Sequence, residues 1–167
     1  MELEIYTDCG GSITDFGVGI HMIDHNENEK SYMLKTHISD INNKYQINEV
    51  GSTSIGEIHA ILTGLSLVND ADVKRVKVFT DNEHAFRILN KIKTGKTHRK
   101  FKVFQAIFDK FQTKFEVDLM WIKGHVGVYG NEVVDSITQK ALKKSVVPNQ
   151  IHSVEIPKAG EPVKYII

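Results

Sequence analysis

Four carboxylates stand where a folded chain could gather them: Asp8, Glu57, Asp81 and Asp135. Asp8 ends the apolar run that starts at Leu3, and Asp81 ends the run Val76 to Thr80. Glu57 opens a stretch of helical period, and Asp135 is predicted in the first turn of a final helix. Taken singly, each has an ordinary explanation as a strand-ending turn residue or a helix-dipole partner worth ~0.3–1 kcal/mol. Taken together, they would repel and raise one another's pKa unless cations lay between them. Hard oxygen ligands in that number suit Mg²⁺ or Mn²⁺. Two such ions, roughly 3.5–4 Å apart, can clamp the attacking and leaving oxygens of a phosphoryl transfer. His125 follows Gly124 ten residues before Asp135 and could carry a proton near neutral pH. By itself it would read as an exposed loop histidine. Cys9 beside Asp8 is a soft ligand that suits Mg²⁺ poorly and reads as a small tolerated residue.

The elements that must position these groups follow from periodicity. Leu3–Thr7, Phe16–Asp24 and Lys30–Ile38 alternate as strands, the last two joined across His25-Asn26-Glu27-Asn28 as a hairpin. Gly17 and Gly19 inside the second strand predict a close backbone approach. Ser39 to Ser54 is polar and reads as a loop. From Glu57 onward, Ile58, Ile61, Leu62, Leu65 and Val68 repeat with helical spacing. Val76–Thr80 reads as a buried strand, after which Asn82 caps a helix with Ala85, Ile88, Leu89 and Ile92 on its apolar face. Phe104, Ile107, Phe108 and Phe111 mark another helix, Phe115–Ile122 a strand, and Asn131 the cap of a last helix with Val134, Ile137 and Ala141. Trp121 and the phenylalanines read as core. A meander followed by helix-linked strands implies a mixed α/β sheet with helices on its faces. Parallel first and fourth strands would bring Asp8 and Asp81 out side by side at the carboxyl edge, where open sheets bind ligands.

The chain has 167 residues, about one domain, with 21 basic and 21 acidic side chains and a formal net charge of zero. An apolar content of 41% excludes a disordered or collagen-like chain, and a single cysteine excludes a disulfide scaffold. No apolar run approaches the ~20 residues of a membrane span. The acidic start Met1-Glu2-Leu3-Glu4 does not resemble a secretory signal, so a cytoplasmic location without membrane contact is expected. Neutrality hides an asymmetry: Lys91, Lys93, Lys96, Arg99, Lys100 and Lys102 fall within one short block free of acids.

Four segments, in order, resemble a type 1 ribonuclease H of the ribonuclease H-like superfamily. They are Ile5-Tyr6-Thr7-Asp8, Gly56-Glu57-Ile58-His59-Ala60, Val78-Phe79-Thr80-Asp81-Asn82, and Trp121-Ile122-Lys123-Gly124-His125 with Asn131-Glu132-Val133-Val134-Asp135. The resemblance implies a five-stranded mixed sheet of order 3-2-1-4-5 with strand 2 antiparallel and helices on both faces. It implies a catalytic domain over 1–144, which leaves 145–167 as a C-terminal extension, expected to be poorly ordered. Asp8, Glu57, Asp81 and Asp135 would then be ligands of two Mg²⁺ ions, or of Mn²⁺. Asp8 would bridge the pair, Asp135 would complete the site of the water-activating ion, and Glu57 and Asp81 the site at the leaving 3′-oxygen. His125 would assist proton transfer or product release. The implied reaction is hydrolysis of the RNA strand of an RNA–DNA hybrid, giving 5′-phosphate and 3′-hydroxyl ends.

The basic block matches the place of the family's basic protrusion. Lys93, Lys96, Arg99 and Lys100 are expected to neutralise substrate phosphates and make binding salt-dependent. Ser12, Thr53 and Ser54 are the expected short-range substrate contacts; Thr53 and Ser54, with Ile55 after them, stand where many members carry asparagines that meet the hybrid. Asn82-Glu83 replaces the Ser-Gln pair that often follows the third carboxylate. Because RNA is told from DNA at hydroxyl contacts, these departures leave two further readings: a nuclease of this fold with another duplex substrate, and a non-catalytic nucleic-acid-binding module. The retention of all four acids argues against the last. A monomer without an organic cofactor is the expected acting unit.

Overall fold

The computed structural model describes residues 1–92, 101–155 and 164–166. Strands β1 (Glu2–Gly11), β2 (Asp15–Asp24) and β3 (Glu29–His37) form an antiparallel meander. Strand β4 (Arg75–Thr80) pairs parallel to β1, and β5 (Glu116–Trp121) pairs parallel to β4. The predicted five-strand order is present inside a larger sheet. Strand β6 (His152–Glu155) pairs antiparallel with β3, and β7 (Lys164–Ile166) with β6, giving β5-β4-β1-β2-β3-β6-β7.

The described residues of the 145–167 extension thus add two strands to the sheet. Val146 and Val154 are buried with Met33, Ile137 and Ala141 in a small apolar cluster. The Thr36 hydroxyl donates to Asn149 Oδ1 at 2.9 Å, and Asn149 N–H donates to the Lys35 carbonyl at 2.8 Å. Isolated valines among polar residues give no periodic signal; the open edge of β3 takes Val154 into a strand, and Val146 packs in the same cluster from outside any strand.

Helix α1 (Ile38–Tyr45) occupies part of the segment expected to be a loop. His37 caps it, accepting from Ser39 N–H, while Asp40 answers toward the His37 backbone, and Ile38, Ile41 and Tyr45 are buried. Histidine is not among the usual capping residues, and asparagines obscured the apolar spacing. Helix α2 (Thr53–Ser66) starts four residues earlier than predicted, capped by Ser52. It is buried along nearly its whole length and lies on β1. Helices α3 (Glu83–Leu89) and α4 (Phe101–Phe111) pack with α2, and Asn82 caps α3 as expected. Among the described residues no helix is long and apolar enough to cross a membrane.

Helix α5 (Tyr129–Ala141) covers the other face, over β1 and β2. The glycine expectation holds: a Cβ on Gly17 would stand 2.4 Å from the Thr138 carbonyl oxygen, and one on Gly19 2.6 Å from that of Val134. The start of α5 differs from the prediction. Asn131 is not its cap but a buried residue of its first turn, and Asp135 falls in the second turn. Val128 occupies the cap position without a side-chain bond, because packing on β1, through Gly130 on the Tyr6 ring, sets where the helix begins.

Candidate metal centre

The parallel register of β1 and β4 runs to Tyr6 opposite Phe79. Two residues further along the chain from each of these are Asp8 and Asp81, so the sheet delivers both to one edge, as the sequence predicted. Glu57 comes from α2, which is held down on β1 by close contacts at glycine. A Cβ on Gly56 would lie 2.7 Å from both Cys9 Sγ and Phe16 Cδ1. One oxygen from each of Asp8, Glu57 and Asp81 lies within 4.8 Å of the others. Asp8 and Glu57 are 6% and 7% exposed, while Asp81 is half-buried.

Three carboxylates at this spacing distort one another's titration. Asp8 is pushed up to about 7, first by burial and then by the charge of Asp81, while the Cys9 N–H that donates to Asp8 Oδ1 at 2.9 Å pulls the other way. Glu57 is pushed well above the usual carboxylate range by burial and by its two acidic neighbours. Asp81 is raised by burial and by Asp135, against a lowering influence from His125. Glu57 Oε2 is buried and has no hydrogen-bond partner. An orphaned, desolvated carboxylate oxygen facing two further acids is a poor arrangement for stability and a good one for a hard cation.

The structure places Asp135 beside this group rather than in it. Its charge acts on Asp8 and Asp81, but the three-carboxylate set is Asp8, Glu57 and Asp81. His125 is exposed, adopts φ 58°, and is close enough to influence Asp81. The preceding Gly124 lies flat against Asp81, since a Cβ there would sit 3.0 Å from Asp81 Oδ2. Trp121, expected in the core, is 45% exposed at the end of β5, where its Nε1–H donates to the Asp81 carbonyl at 3.2 Å. An edge strand gives its last side chain no second layer to enter.

The expected substrate contacts scatter. Ser12 is exposed, and its Oγ accepts from the N–H groups of Thr14 and Asp15, closing the β1–β2 turn. Thr53 is exposed on the first turn of α2. Ser54 is buried, with its Oγ 2.7 Å from His84 Nδ1, a pairing that no sequence spacing announced. Lys93, Lys96, Arg99 and Lys100 lie outside the described residues. Of the same block, Lys91 pairs with Asp109 at 2.9 Å and Lys102 is exposed on α4.

The RNase H family model matches residues 1–143 of the chain. Among solved structures, the fold is similar to RNase H1 from the halophilic archaeon Halobacterium salinarum NRC-1, at TM-score 0.62 and 13% identity over 85% of this chain and 98% of that one. It is similar to the N-terminal RNase H domain of a Mycobacterium tuberculosis protein, at TM-score 0.60 and 14% identity over 86% and 100%. A third similar structure is LC11-RNase H1 in complex with an RNA/DNA hybrid, at TM-score 0.56 and 19% identity over 84% and 99%.

Proposed function

Because the chain belongs to the RNase H family, we propose that it is an endoribonuclease that hydrolyses the RNA strand of RNA–DNA hybrids, leaving 5′-phosphate and 3′-hydroxyl ends. The observation that carries the reading is the convergence of Asp8, Glu57 and Asp81 within 4.8 Å, with Glu57 Oε2 buried and unpartnered. These three would hold two divalent ions, magnesium or manganese, with Asp135 completing the set from α5. When bound, such ions supply Lewis acidity at the phosphate and a water of lowered pKa.

The chain's own residues do the rest. Cys9 N–H fixes one oxygen of Asp8, so that its carboxylate presents a constant face to the site. Burial of Asp8 and Glu57 keeps the surroundings dry, which strengthens every charge interaction there. His125, on its exposed loop beside Asp81, takes up or delivers a proton at an imidazole nitrogen near the scissile phosphate. Lys93, Lys96, Arg99 and Lys100 hold the phosphate backbone through charge alone. Ser12 and Thr53, both exposed, offer hydroxyls to the substrate, while Ser54, held by His84, would meet it only by giving up that partner. No organic cofactor enters the reaction, and one chain suffices for it.

The test is cleavage of labelled RNA–DNA hybrid, double-stranded RNA, double-stranded DNA and single-stranded RNA, each with Mg²⁺, Mn²⁺ or chelator. The Asp81→Asn protein is the control. Metal-dependent cleavage of the hybrid alone is expected. Equal cleavage of another duplex would replace the hybrid assignment, and binding of all four without cleavage by any would overturn the enzymatic one.

A further inference from the structure

We infer that the cavity between α1, α2, β3 and the C-terminal extension binds a small organic anion, its carboxylate or phosphate head held by Lys44, His59 and Thr63. The inference does not depend on the reaction proposed above. The cavity measures about 350 Å³, within the usual range of small-molecule sites. Its outer wall contains Asn149 and Ile151, which lie past the residues 1–143 that match the family. The Thr36 hydroxyl, donating to Asn149 Oδ1 at 2.9 Å, pins that wall to β3. Leu34 and Ile41 give the cavity an apolar side.

The floor comes from α2. His59 and Thr63 are 3% and 4% exposed and stand one helical turn apart, so they share a face. The Tyr45 hydroxyl lies 2.6 Å from His59 Nδ1 and has no other partner among the described residues. The tyrosine therefore donates, since the reverse arrangement would strand its own proton, and the ring proton falls on Nε2. Among the described residues this Nε2–H meets no acceptor, which leaves it for a ligand in the cavity that His59 lines. Thr63 Oγ1 is likewise buried without a partner. A buried bond left unmade costs ~1–3 kcal/mol, so packing gives no reason to set two such groups on one face.

Charge selects the sign of the ligand. Lys44 Nζ stands 5.9 Å from the centroid of the Tyr45 ring, the same ring whose hydroxyl binds His59, so the ammonium belongs to that end of the cavity. It makes no ion pair among the described residues. Asp40, the one acid on the lining, is turned to the start of its own helix, where Oδ2 accepts from His37 N–H at 3.4 Å. An ammonium, an imidazole N–H and a hydroxyl with no carboxylate bonded to them take an oxyanion. Leu34 and Ile41 then take its aliphatic body.

Titrations followed by proton–carbon and proton–nitrogen correlation spectra test this. The ligands are isovalerate, butyl phosphate, acetate and inorganic phosphate, with isovaleramide as the uncharged control. The His59 ring signals, assigned by their absence from His59→Gln, and the Thr63 amide should shift saturably with isovalerate or butyl phosphate. The tighter of the two identifies the head group, and acetate and inorganic phosphate should bind more weakly for want of an apolar body. Lys44→Gln, an exposed change, and Thr63→Val, which removes an orphaned hydroxyl, should each weaken that ligand on the order of tenfold and leave the fold intact. Equal affinity for isovaleramide, unchanged affinity in Lys44→Gln, shifts confined to the Asp8–Asp81 edge, or no saturation by any of the anions would each overturn the inference. A chain that cleaves no nucleic acid would refute the proposed reaction and leave these titrations to decide the cavity.

Discussion

Gly130 is where α5 comes to rest on β1, and adding one carbon there should separate the halves of the site. A Cβ at Gly130 would stand 2.3, 2.4 and 2.5 Å from Cδ2, Cγ and Cε2 of Tyr6, whereas ordinary contact begins at 3.4 Å. Tyr6 has no room to retreat, because its ring is stacked on Phe79 with centroids 4.7 Å apart and an interplanar angle of 16°. The helix must therefore lift by about 1 Å, and overpacking of this kind costs ~1–3 kcal/mol. Alanine's better helix propensity returns up to ~1 kcal/mol of that. The net loss should lower the melting temperature by a few degrees, at roughly 2–4 °C per kcal/mol for a domain of this size. Activity should suffer far more. Asp135 rides on α5, and the His125 loop ends at its first residue, while Asp8, Glu57 and Asp81 stay with the sheet and α2. A displacement of about 1 Å between such halves can cost on the order of 100-fold in rate. Thermal denaturation and steady-state cleavage of Gly130→Ala measure the two effects. The double change Gly130→Ala with Tyr6→Ala, which removes the obstructing ring, should recover part of the rate that Gly130→Ala forfeits. A Gly130→Ala protein with wild-type melting and kcat within about twofold of wild type would refute the reasoning.

Three further outcomes are expected. Added Mg²⁺ should raise the melting temperature of the wild-type chain by linkage and leave that of Glu57→Gln nearly unmoved, since binding only to the folded state stabilises it; equal shifts would remove Glu57 from the metal site. Changing Lys93, Lys96, Arg99 and Lys100 together to alanine should weaken hybrid binding and flatten its logarithmic salt dependence by ~0.7–0.9 for each phosphate no longer neutralised, and an unchanged slope would reject the block as a grip. Burial, with help from Lys44, lowers His59 from 6.5 to about 3, while Tyr45 holds its Nδ1 at 2.6 Å. The folded ring then refuses a proton that the unfolded chain accepts, so this contribution is present above pH 6.5 and disappears as the pH falls toward 3. Between pH 7 and pH 5 the decrease should be about 2 kcal/mol relative to His59→Gln, measured by urea denaturation, and parallel pH profiles for the two proteins would show that His59 does not titrate this way.

The fold was most legible where apolar periodicity and punctuation agreed. The meander, the buried β4 and the Asn82 cap needed only local pattern, and Gly17 and Gly19 announced a close backbone approach, which α5 makes. Legibility failed where a local signal was weak or was overruled from outside. An atypical histidine cap and a run of asparagines hid α1, though Ile38, Ile41 and Tyr45 carried its spacing. Asn131 looked like a cap because asparagine usually is one, yet the contact of Gly130 with Tyr6 starts α5 earlier. Trp121 looked like core because tryptophan usually is, but it ends an edge strand and bonds to the Asp81 carbonyl.

The sequence by itself singled out the groups proposed to do the chemistry: four acids and a histidine, each read at the end of a strand, the start of a helix or a glycine-bearing loop. Spacing along the chain is a local property, so residue type and position were enough for that. Only the tertiary structure decided that three of the acids share one small volume while Asp135 stands beside it, that Ser54 is committed to His84, and that the His21 ring meets Tyr129 edge-on. These are contacts between segments far apart in sequence. Their distances depend on how closely α2 and α5 settle on opposite faces of the sheet, which is set by packing volume at a few glycines and rings and has no period to read.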